Sequence, residues 1–282
     1  MPIVFSDSQF IVAAAVFGLA IGSFLNVVIH RLPRMMENEW RAQCAELEGK
    51  EPPDPGRYNL LVPRSQCPTC QTQIRARDNI PVLSWLILGG KCAQCKAKIS
   101  PRYPIVEALT ALLSALVAWK FGLGWAAGAA LVLTWTLIAL VFIDADTTLL
   151  PDDLTLPLLW AGLACAALNL TSIGLPDAFW GAVGGYLSLW LVYWAFKLAT
   201  GKEGMGYGDF KLFAALGAWF GWQALIPIIL MASVIGAVVG IAMKFSSNLR
   251  EGGYVPFGPF LSMAGLTAMV VGPSAILKAV GL

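Results

Sequence analysis

Charged side chains are scarce in this 282-residue chain, because Asp, Glu, Lys and Arg together make up only 13% of it. Soluble domains carry about 25%, so the chain lacks the charged surface that a soluble protein of this length needs. Hydrophobic residues reach 57%, which excludes an intrinsically disordered chain. Six cysteines are too few for a disulfide-rich secreted scaffold. The class that remains is an integral membrane protein.

Long uncharged stretches predict the membrane spans, because a spanning helix needs about 20 mostly apolar residues. The stretch 212–243 is long enough for two helices, and we place a break at Gly221. The first stretch could instead be a signal peptide, but Asp7 stands where such peptides are basic and no small-residue cleavage site follows. We therefore predict an all-α polytopic membrane protein with eight transmembrane helices. Their predicted ranges are 8–29, 104–120, 124–143, 154–171, 178–199, 210–221, 223–243 and 257–277.

The basic residues predict the orientation of these spans in the membrane. If the polar segment 30–103 is cytoplasmic, 17 of the 19 Lys and Arg residues lie on the cytoplasmic side, and only Lys120 and Lys278 lie outside. An excess of basic residues in cytoplasmic connections is the general rule for membrane proteins. We therefore predict a periplasmic N-terminus and a cytoplasmic insert between the first and second helices.

Two C-x-x-C pairs in the insert, with 21 residues between them, predict a metal site. Four thiolates at about this separation form the structural Zn²⁺ sites of zinc ribbons. The predicted ligands are Cys67, Cys70, Cys92 and Cys95. A redox-active C-x-x-C pair is the alternative, although a single pair would be enough for that chemistry. A closed site of four thiolates has no open coordination position, so it would stabilise the fold rather than catalyse a reaction.

Two aspartates lie where uncharged stretches begin or end. Asp144 ends the third predicted span, and Asp209 directly precedes the sixth. Both are predicted at the cytoplasmic face, and a carboxylate in or beside a membrane span is expensive enough to suggest a function. Two carboxylates at one depth are what an aspartyl protease needs, one ionised to activate water and the other protonated. Asp146 is the reserve candidate for the first position.

The glycine-rich segment before Asp209 has a backbone free to lie close to an extended peptide, so we assign Gly206 and Gly208 to a substrate loop. A nucleotide-binding loop would need G-x-G-x-x-G after a strand, and that pattern is absent here. The plainer interpretation of Asp209 is a helix N-cap. Asp152 or Asp153 is predicted to cap the following helix in the same way.

Several short motifs follow one another in a specific order along the chain. They are Gly22-Ser23-Phe24-Leu25-Asn26-Val27-Val28, the paired C-x-x-C insert containing Asp78-Asn79-Ile80-Pro81-Val82-Leu83-Ser84-Trp85, Arg102-Tyr103-Pro104-Ile105-Val106-Glu107, Asp144 seven residues before Pro151, and Gly206-Tyr207-Gly208-Asp209. In this combination the chain resembles the bacterial type IV prepilin peptidase family, over nearly its whole length.

The resemblance implies an intramembrane aspartyl protease of the bacterial inner membrane, with Asp144 and Asp209 as the catalytic pair. Such enzymes cleave the basic leader from type IV prepilins and type II secretion pseudopilins, after Gly at the cytoplasmic face. The resemblance also implies N-methylation of the new N-terminal residue, usually Phe, with S-adenosylmethionine as methyl donor. We expect these substrates and the lipid bilayer as partners, and no nucleic acid.

The resemblance also implies a division of the chain into functional regions. Residues 1–29 would form the first transmembrane helix, 30–103 the zinc-binding insert associated with methyl transfer, and 104–282 the protease core. No glycine-rich loop in the sequence can be assigned to the methyl donor, so the residues that bind it are not predicted.

Some features keep more than one interpretation. Glu107, three residues inside the second span, could pair with an Arg of the insert or serve the methyl-transfer site. His30 is the only histidine and is either an interfacial residue or a base. The main alternative function is a secondary transporter with Asp144 and Asp209 as a proton relay. A non-enzymatic assembly factor is the second alternative.

Overall fold

The computed structural model describes residues 7–51, 56–245 and 255–280, and the regular secondary structure in these residues is helical, with no named strand. The α-helices in the described ranges are α1 (Asp7–Leu47), α2 (Leu83–Ile87), α3 (Arg102–Phe121), α4 (Trp125–Thr147), α5 (Asp152–Ala167), α6 (Leu175–Thr200), α7 (Tyr207–Phe220), α8 (Leu225–Phe245), α9 (Gly258–Val271) and α10 (Pro273–Val280). The predicted all-α class is confirmed. The predicted periplasmic N-terminus and part of the last cytoplasmic connection, residues 246–254, lie outside the described residues.

The helices α1 and α3 to α9 correspond to the eight predicted spans. Five helical segments are long and apolar enough to cross a membrane. These are Asp7–Leu47, Arg102–Phe121, Trp125–Thr147, Leu175–Thr200 and Trp222–Phe245. The helices α5, α7 and α9 have 16, 14 and 14 residues. At 1.5 Å per residue they are about 21–24 Å long, which is shorter than a hydrocarbon core of about 30 Å.

The chain forms two compact units, residues 1–123 and 124–282. In the first unit α1 packs closely along α3, because small residues on α1 leave room for the backbone of α3. A β-carbon on Gly22 would lie 2.7 Å from the Cα of Glu107, and one on Gly18 would lie 2.9 Å from the Cα of Ala111. This contact places the motif that begins at Gly22 against the first two turns of α3.

In the second unit α7 is the central helix, buried from Asp209 to Trp219 apart from Lys211. It packs against α6 at Gly181 and Gly185, where a β-carbon on Gly185 would lie 2.7 Å from the Phe213 carbonyl oxygen. Small residues at these two positions let the backbones of α6 and α7 approach closely. Such burial holds the start of α7 in a fixed position.

Candidate active site and metal centre

Asp144 lies in the last turn of α4 and is 4% exposed. The helix stops four residues later, where Thr148 takes the left-handed conformation with φ 57° and donates its N–H to the Asp144 carbonyl oxygen at 2.9 Å. The carboxylate of Asp144 lies against α9, because a β-carbon on Gly258 would be 2.6 Å from its Oδ2 atom. Asp146, the reserve candidate, is exposed. Burial therefore distinguishes Asp144 from Asp146.

Asp209 is the third residue of α7 and is also 4% exposed. Gly206 occupies the N-cap position of α7 without a side-chain cap, so the interpretation of Asp209 as the N-cap is wrong. The Asp209 N–H donates to the Gly206 carbonyl oxygen at 3.2 Å. Its side-chain Oδ1 is buried and has no hydrogen-bond partner among the described residues. A buried carboxylate oxygen without a partner is rare and costly, so it points to a reactive position.

Asp144 and Asp209 are close enough for their charges to interact. Leu150, in the connection between α4 and α5, fills the space beside them. A β-carbon on Gly208 would lie 2.7 Å from the Cβ of Leu150, and one on Gly258 would lie 3.0 Å from its Cδ1. The packing of α4, α7 and α9 around Leu150 therefore brings together the two aspartates that the sequence predicted.

The start of α5 differs from the sequence prediction. Pro151 is its N-cap residue and no side chain caps the helix, so neither Asp152 nor Asp153 has the predicted capping role. Asp152 instead accepts hydrogen bonds from the Lys211 ammonium at 2.7 Å on both carboxylate oxygens. This ion pair ties the start of α5 to α7, two residues after Asp209.

The four predicted metal ligands form a cluster in the first unit. The sulfur atoms of Cys67, Cys70, Cys92 and Cys95 all lie within 4.8 Å of one another, and Cys67 Sγ is 3.7 Å from Cys95 Sγ. Zn–S bonds of about 2.3 Å would separate two sulfurs of a tetrahedral site by about 3.8 Å. The donor set and its spacing therefore fit a tetrahedral metal ion.

The two C-x-x-C pairs have the same local structure. In the first pair, Cys67 donates its N–H to the Thr72 carbonyl oxygen at 3.0 Å, and Gln71 is left-handed with φ 55°. In the second pair, Cys92 donates to the Ala97 carbonyl oxygen at 2.8 Å, and Lys96 is left-handed with φ 59°. Such repeated tight turns aim both thiols of each pair at one point.

The electrostatics of the thiols also favour a cation. Hydrogen bonds from Thr72 lower the pKa of Cys70 to about 6, and backbone N–H groups, first that of Cys95, lower the pKa of Cys92. Ala97 also favours the Cys95 thiolate, but burial and the neighbouring thiols raise the pKa of Cys95 to about 11. Four clustered thiolates repel one another, and a bound divalent cation would remove that repulsion.

The chain matches two protein-family models and several named relatives. Residues 16–121 match the family described as "Bacterial Peptidase A24 N-terminal domain", and residues 131–241 match the "Type IV leader peptidase family". The chain is 56% identical over 264 residues to a protein of Stutzerimonas stutzeri, covering 93% of this chain and 91% of that protein. That relative is named "Prepilin leader peptidase/N-methyltransferase". The chain belongs to the prepilin leader peptidase/N-methyltransferase family.

Further relatives carry the same name. A protein of Pseudomonas aeruginosa is 56% identical over 264 residues, covering 93% of this chain and 91% of the relative. A protein of Aeromonas salmonicida is 57% identical over 261 residues, covering 92% and 89%. No solved structure gives a significant match. Membership of the leader peptidase family supports a peptidase that also has N-methyltransferase activity.

The candidate residues divide between the two matched regions of the leader peptidase family. Asp144 and Asp209 lie in residues 131–241, and all four clustered cysteines lie in residues 16–121. Glu107 also lies in the first region, and it accepts a hydrogen bond from the Val82 N–H at 2.7 Å. His30 is exposed on α1.

Sequence reasoning missed three residues of this structure. Gly258 lies against Asp144, and Leu150 lies against Gly208 and Gly258, but no local pattern marks either residue; only the Gly258-Pro259 step hints at a special backbone. Arg31 is 8% exposed and was counted only as a basic residue. It donates to the Asn59 carbonyl oxygen at 2.8 Å and to the Pro63 carbonyl oxygen at 2.6 Å. Arg31 therefore holds the insert against α1.

Proposed function

We propose that this protein cleaves the basic leader of type IV prepilins and type II secretion pseudopilins after Gly, with Asp144 and Asp209 as the catalytic pair. The observation that carries the proposal is the buried, charge-coupled pair of aspartates within the region matched to the leader peptidase family. Relatives named prepilin leader peptidases over more than nine-tenths of the chain support the substrate class. Two interacting carboxylates favour a state with one shared proton, which acid–base proteolysis requires.

In the proposed reaction the ionised aspartate takes a proton from water while the water oxygen attacks the scissile carbonyl carbon. The protonated aspartate donates a hydrogen bond to the carbonyl oxygen and stabilises the developing negative charge. When the tetrahedral intermediate collapses, the C–N bond breaks and a proton passes to the leaving amine. Asp209 Oδ1, which has no hydrogen-bond partner among the described residues, supports a role in contact with water or substrate.

We further propose that the chemistry takes place at the cytoplasmic face of the bacterial inner membrane. The basic leader would stay in the cytoplasm while the apolar stem of the substrate lies in the bilayer. The distribution of 17 of the 19 basic residues to the predicted cytoplasmic side supports this orientation. The glycine loop at Gly206 and Gly208 would then hold the extended substrate next to Asp209.

We also propose that a structural Zn²⁺ ion is held in the first unit by Cys67, Cys70, Cys92 and Cys95. The ion would neutralise the thiolates and stabilise the insert. S-adenosylmethionine would supply the methyl group for the new N-terminal amine, as the names of the relatives imply. The division into residues 1–29, 30–103 and 104–282 stays a prediction.

The decisive experiment measures leader cleavage of a purified prepilin by membranes containing Asp144→Asn or Asp209→Asn. We expect both variants to insert and to lose cleavage, because an amide cannot exchange the required proton. Asp146→Asn, a change of an exposed aspartate in the same helical turn, is the matched control and should cleave normally. Normal cleavage by either catalytic variant would reject the assignment, and a proton-relay transporter would cleave no prepilin at all.

A further inference from the structure

Three sequence motifs that the proteolytic reaction does not use meet at one side chain in the first unit. This side chain is Glu107 at the start of α3, which is 8% exposed. Its carboxylate accepts a hydrogen bond from the Val82 N–H of the insert at 2.7 Å. The Ser23 hydroxyl of α1 hydrogen-bonds the same carboxylate. The elements α1, α3 and the insert therefore meet at Glu107.

The surroundings of Glu107 are built for close contact. Gly22 lies directly over its backbone, where a β-carbon would be 2.7 Å from the Glu107 Cα. Asn26 donates its side-chain amide to the Tyr103 carbonyl oxygen at 3.1 Å, which joins α1 to the first turn of α3. Val82 is β-branched yet has φ 60° and ψ −48°. A β-branched residue in this conformation is strained, and strained residues concentrate at functional sites.

Proteolysis and N-methylation are different reactions, so each requires its own set of reacting side chains. Asp144 and Asp209 account for proteolysis in the second unit, and a closed site of four thiolates offers no position for a reactant. Glu107 is the only buried carboxylate among the described residues of the first unit. A carboxylate has about four lone-pair positions, and two are used by Val82 and Ser23. The remaining positions can accept hydrogen bonds from an ammonium group.

We propose that Glu107 binds the free α-amino group of the cleaved pilin and takes a proton from it for methyl transfer, which rests on the proposed function. The ammonium gives one proton to the Glu107 carboxylate. The neutral amine nitrogen then attacks the methyl carbon of S-adenosylmethionine, forming an N–C bond. The C–S bond breaks and its electron pair stays on sulfur, so the products are a secondary ammonium and a neutral thioether. Glu107 afterwards loses its proton to solvent.

The test is Glu107→Gln, assayed for leader cleavage and for methylation of the same prepilin by mass spectrometry. The Gln side-chain oxygen can still accept from Val82, and the Ser23 hydroxyl can accept from the amide, so a merely structural role is preserved. We expect cleavage to continue and methylation to fall by about 10²-fold or more, the contribution of a general base. Glu46→Gln, at an exposed position on α1, is the matched control and should methylate normally.

A second measurement needs no methyl donor. A synthetic peptide with the N-terminal sequence of the cleaved pilin is compared with its N-acetylated form for binding to the detergent-solubilised full chain. The wild type should bind the free amine more tightly, and Glu107→Gln should lose this preference. Methylation at the wild-type rate by Glu107→Gln, or an unchanged preference for the free amine, would overturn the proposal.

If Glu107→Gln does not accumulate in membranes, Ser23→Ala replaces it. Reduced methylation with retained cleavage by Ser23→Ala supports the proposal, and unchanged methylation overturns it. If the wild type neither cleaves nor methylates a prepilin, the proposed function fails. If the wild type does both and Glu107→Gln methylates normally, only the role of Glu107 fails.

Discussion

The Oδ2 atom of Asp144 lies directly against the backbone of Gly258, so that a β-carbon at residue 258 would be 2.6 Å from it. Real β-carbons do not approach an oxygen so closely, and either α9 or the carboxylate would have to move. The same β-carbon would be 3.0 Å from the Leu150 Cδ1 atom, so the leucine closes the other side. Gly258 therefore fixes the position of Asp144, although 113 residues of sequence lie between them.

We predict that Gly258→Ala lowers leader cleavage by about 10²-fold, which is the effect of a displacement of about 1 Å in a catalytic group. Overpacking at this position should also destabilise the fold by about 1–3 kcal/mol. Cleavage kinetics and thermal unfolding of the solubilised protein measure the two effects. Gly128→Ala, in α4 with no neighbouring atom within 4 Å, is the control and should cleave normally. Wild-type cleavage by Gly258→Ala would show that Asp144 does not depend on this contact.

The two glycines of the loop before Asp209 should respond differently to the same change. A β-carbon on Gly208 would lie 2.7 Å from the Leu150 Cβ and 3.3 Å from its carbonyl oxygen, whereas one on Gly206 would make only ordinary contacts, at 3.8 Å with Asp209 Oδ2 and at 4.0 Å with the Gly208 nitrogen. We predict that Gly208→Ala abolishes most cleavage and that Gly206→Ala keeps most of it. Parallel cleavage assays at equal protein levels test this order. Equal loss in both variants would mean that the bound substrate, rather than Leu150, leaves no room for a side chain in this loop.

Local patterns in the sequence were enough to find the parts of the site that depend on neighbouring residues. The C-x-x-C pairs could be recognised because each pair forms its own turn, and the Asp144 and Asp209 positions could be recognised because each adjoins an uncharged stretch. Gly258 and Leu150 could not be recognised, because the contacts of Gly258 with Asp144 and of Leu150 with Gly208 and Gly258 depend on how α4, α7 and α9 pack. Packing over such separations leaves no local periodicity.

Helix boundaries show the same limit. The first predicted span ended at residue 29, but α1 continues to Leu47. A span ends where the membrane ends, while a helix ends only where its backbone bonding stops. The eighth predicted span ran to residue 277, but α9 ends at Val271 because Gly272 takes φ 88°. Gly272 followed by Pro273 is a common helix stop, and it was the signal that could have placed this end.

Loss of one thiolate should release the Zn²⁺ ion that we propose for the cysteine cluster. We predict that Cys92→Ser lowers bound zinc, measured by mass spectrometry of the metal in the purified protein, to a small fraction of the wild-type content. The insert should then become sensitive to protease between residues 66 and 98, because its repeated turns are joined through the ion. Cys44→Ser, a change of an exposed cysteine on α1, is the control and should retain zinc. Full zinc content in Cys92→Ser would contradict a site of four thiolates.

Arg31 is buried at the start of the insert. Its guanidinium donates to the carbonyl oxygens of Asn59 and Pro63 and lies 5.7 Å from the centre of the Tyr58 ring. A lysine keeps the charge but not the planar fork, so Arg31→Lys should lose at least one of these bonds. We expect a cost of about 1–3 kcal/mol, the range for hydrogen bonds to charged groups. Hydrogen exchange at residues 58–63 should therefore accelerate.

Arg34→Lys separates this effect from a general loss of basic character. Arg34 is exposed and lies one turn further along α1, so its replacement by Lys should leave exchange at residues 58–63 unchanged. If Arg31→Lys also leaves that exchange unchanged, the segment is held by contacts other than the two carbonyl bonds. If both variants accelerate it equally, helix α1 itself has been weakened. Acceleration in Arg31→Lys alone assigns the anchoring of the insert to the buried guanidinium, because only its planar fork has then been lost.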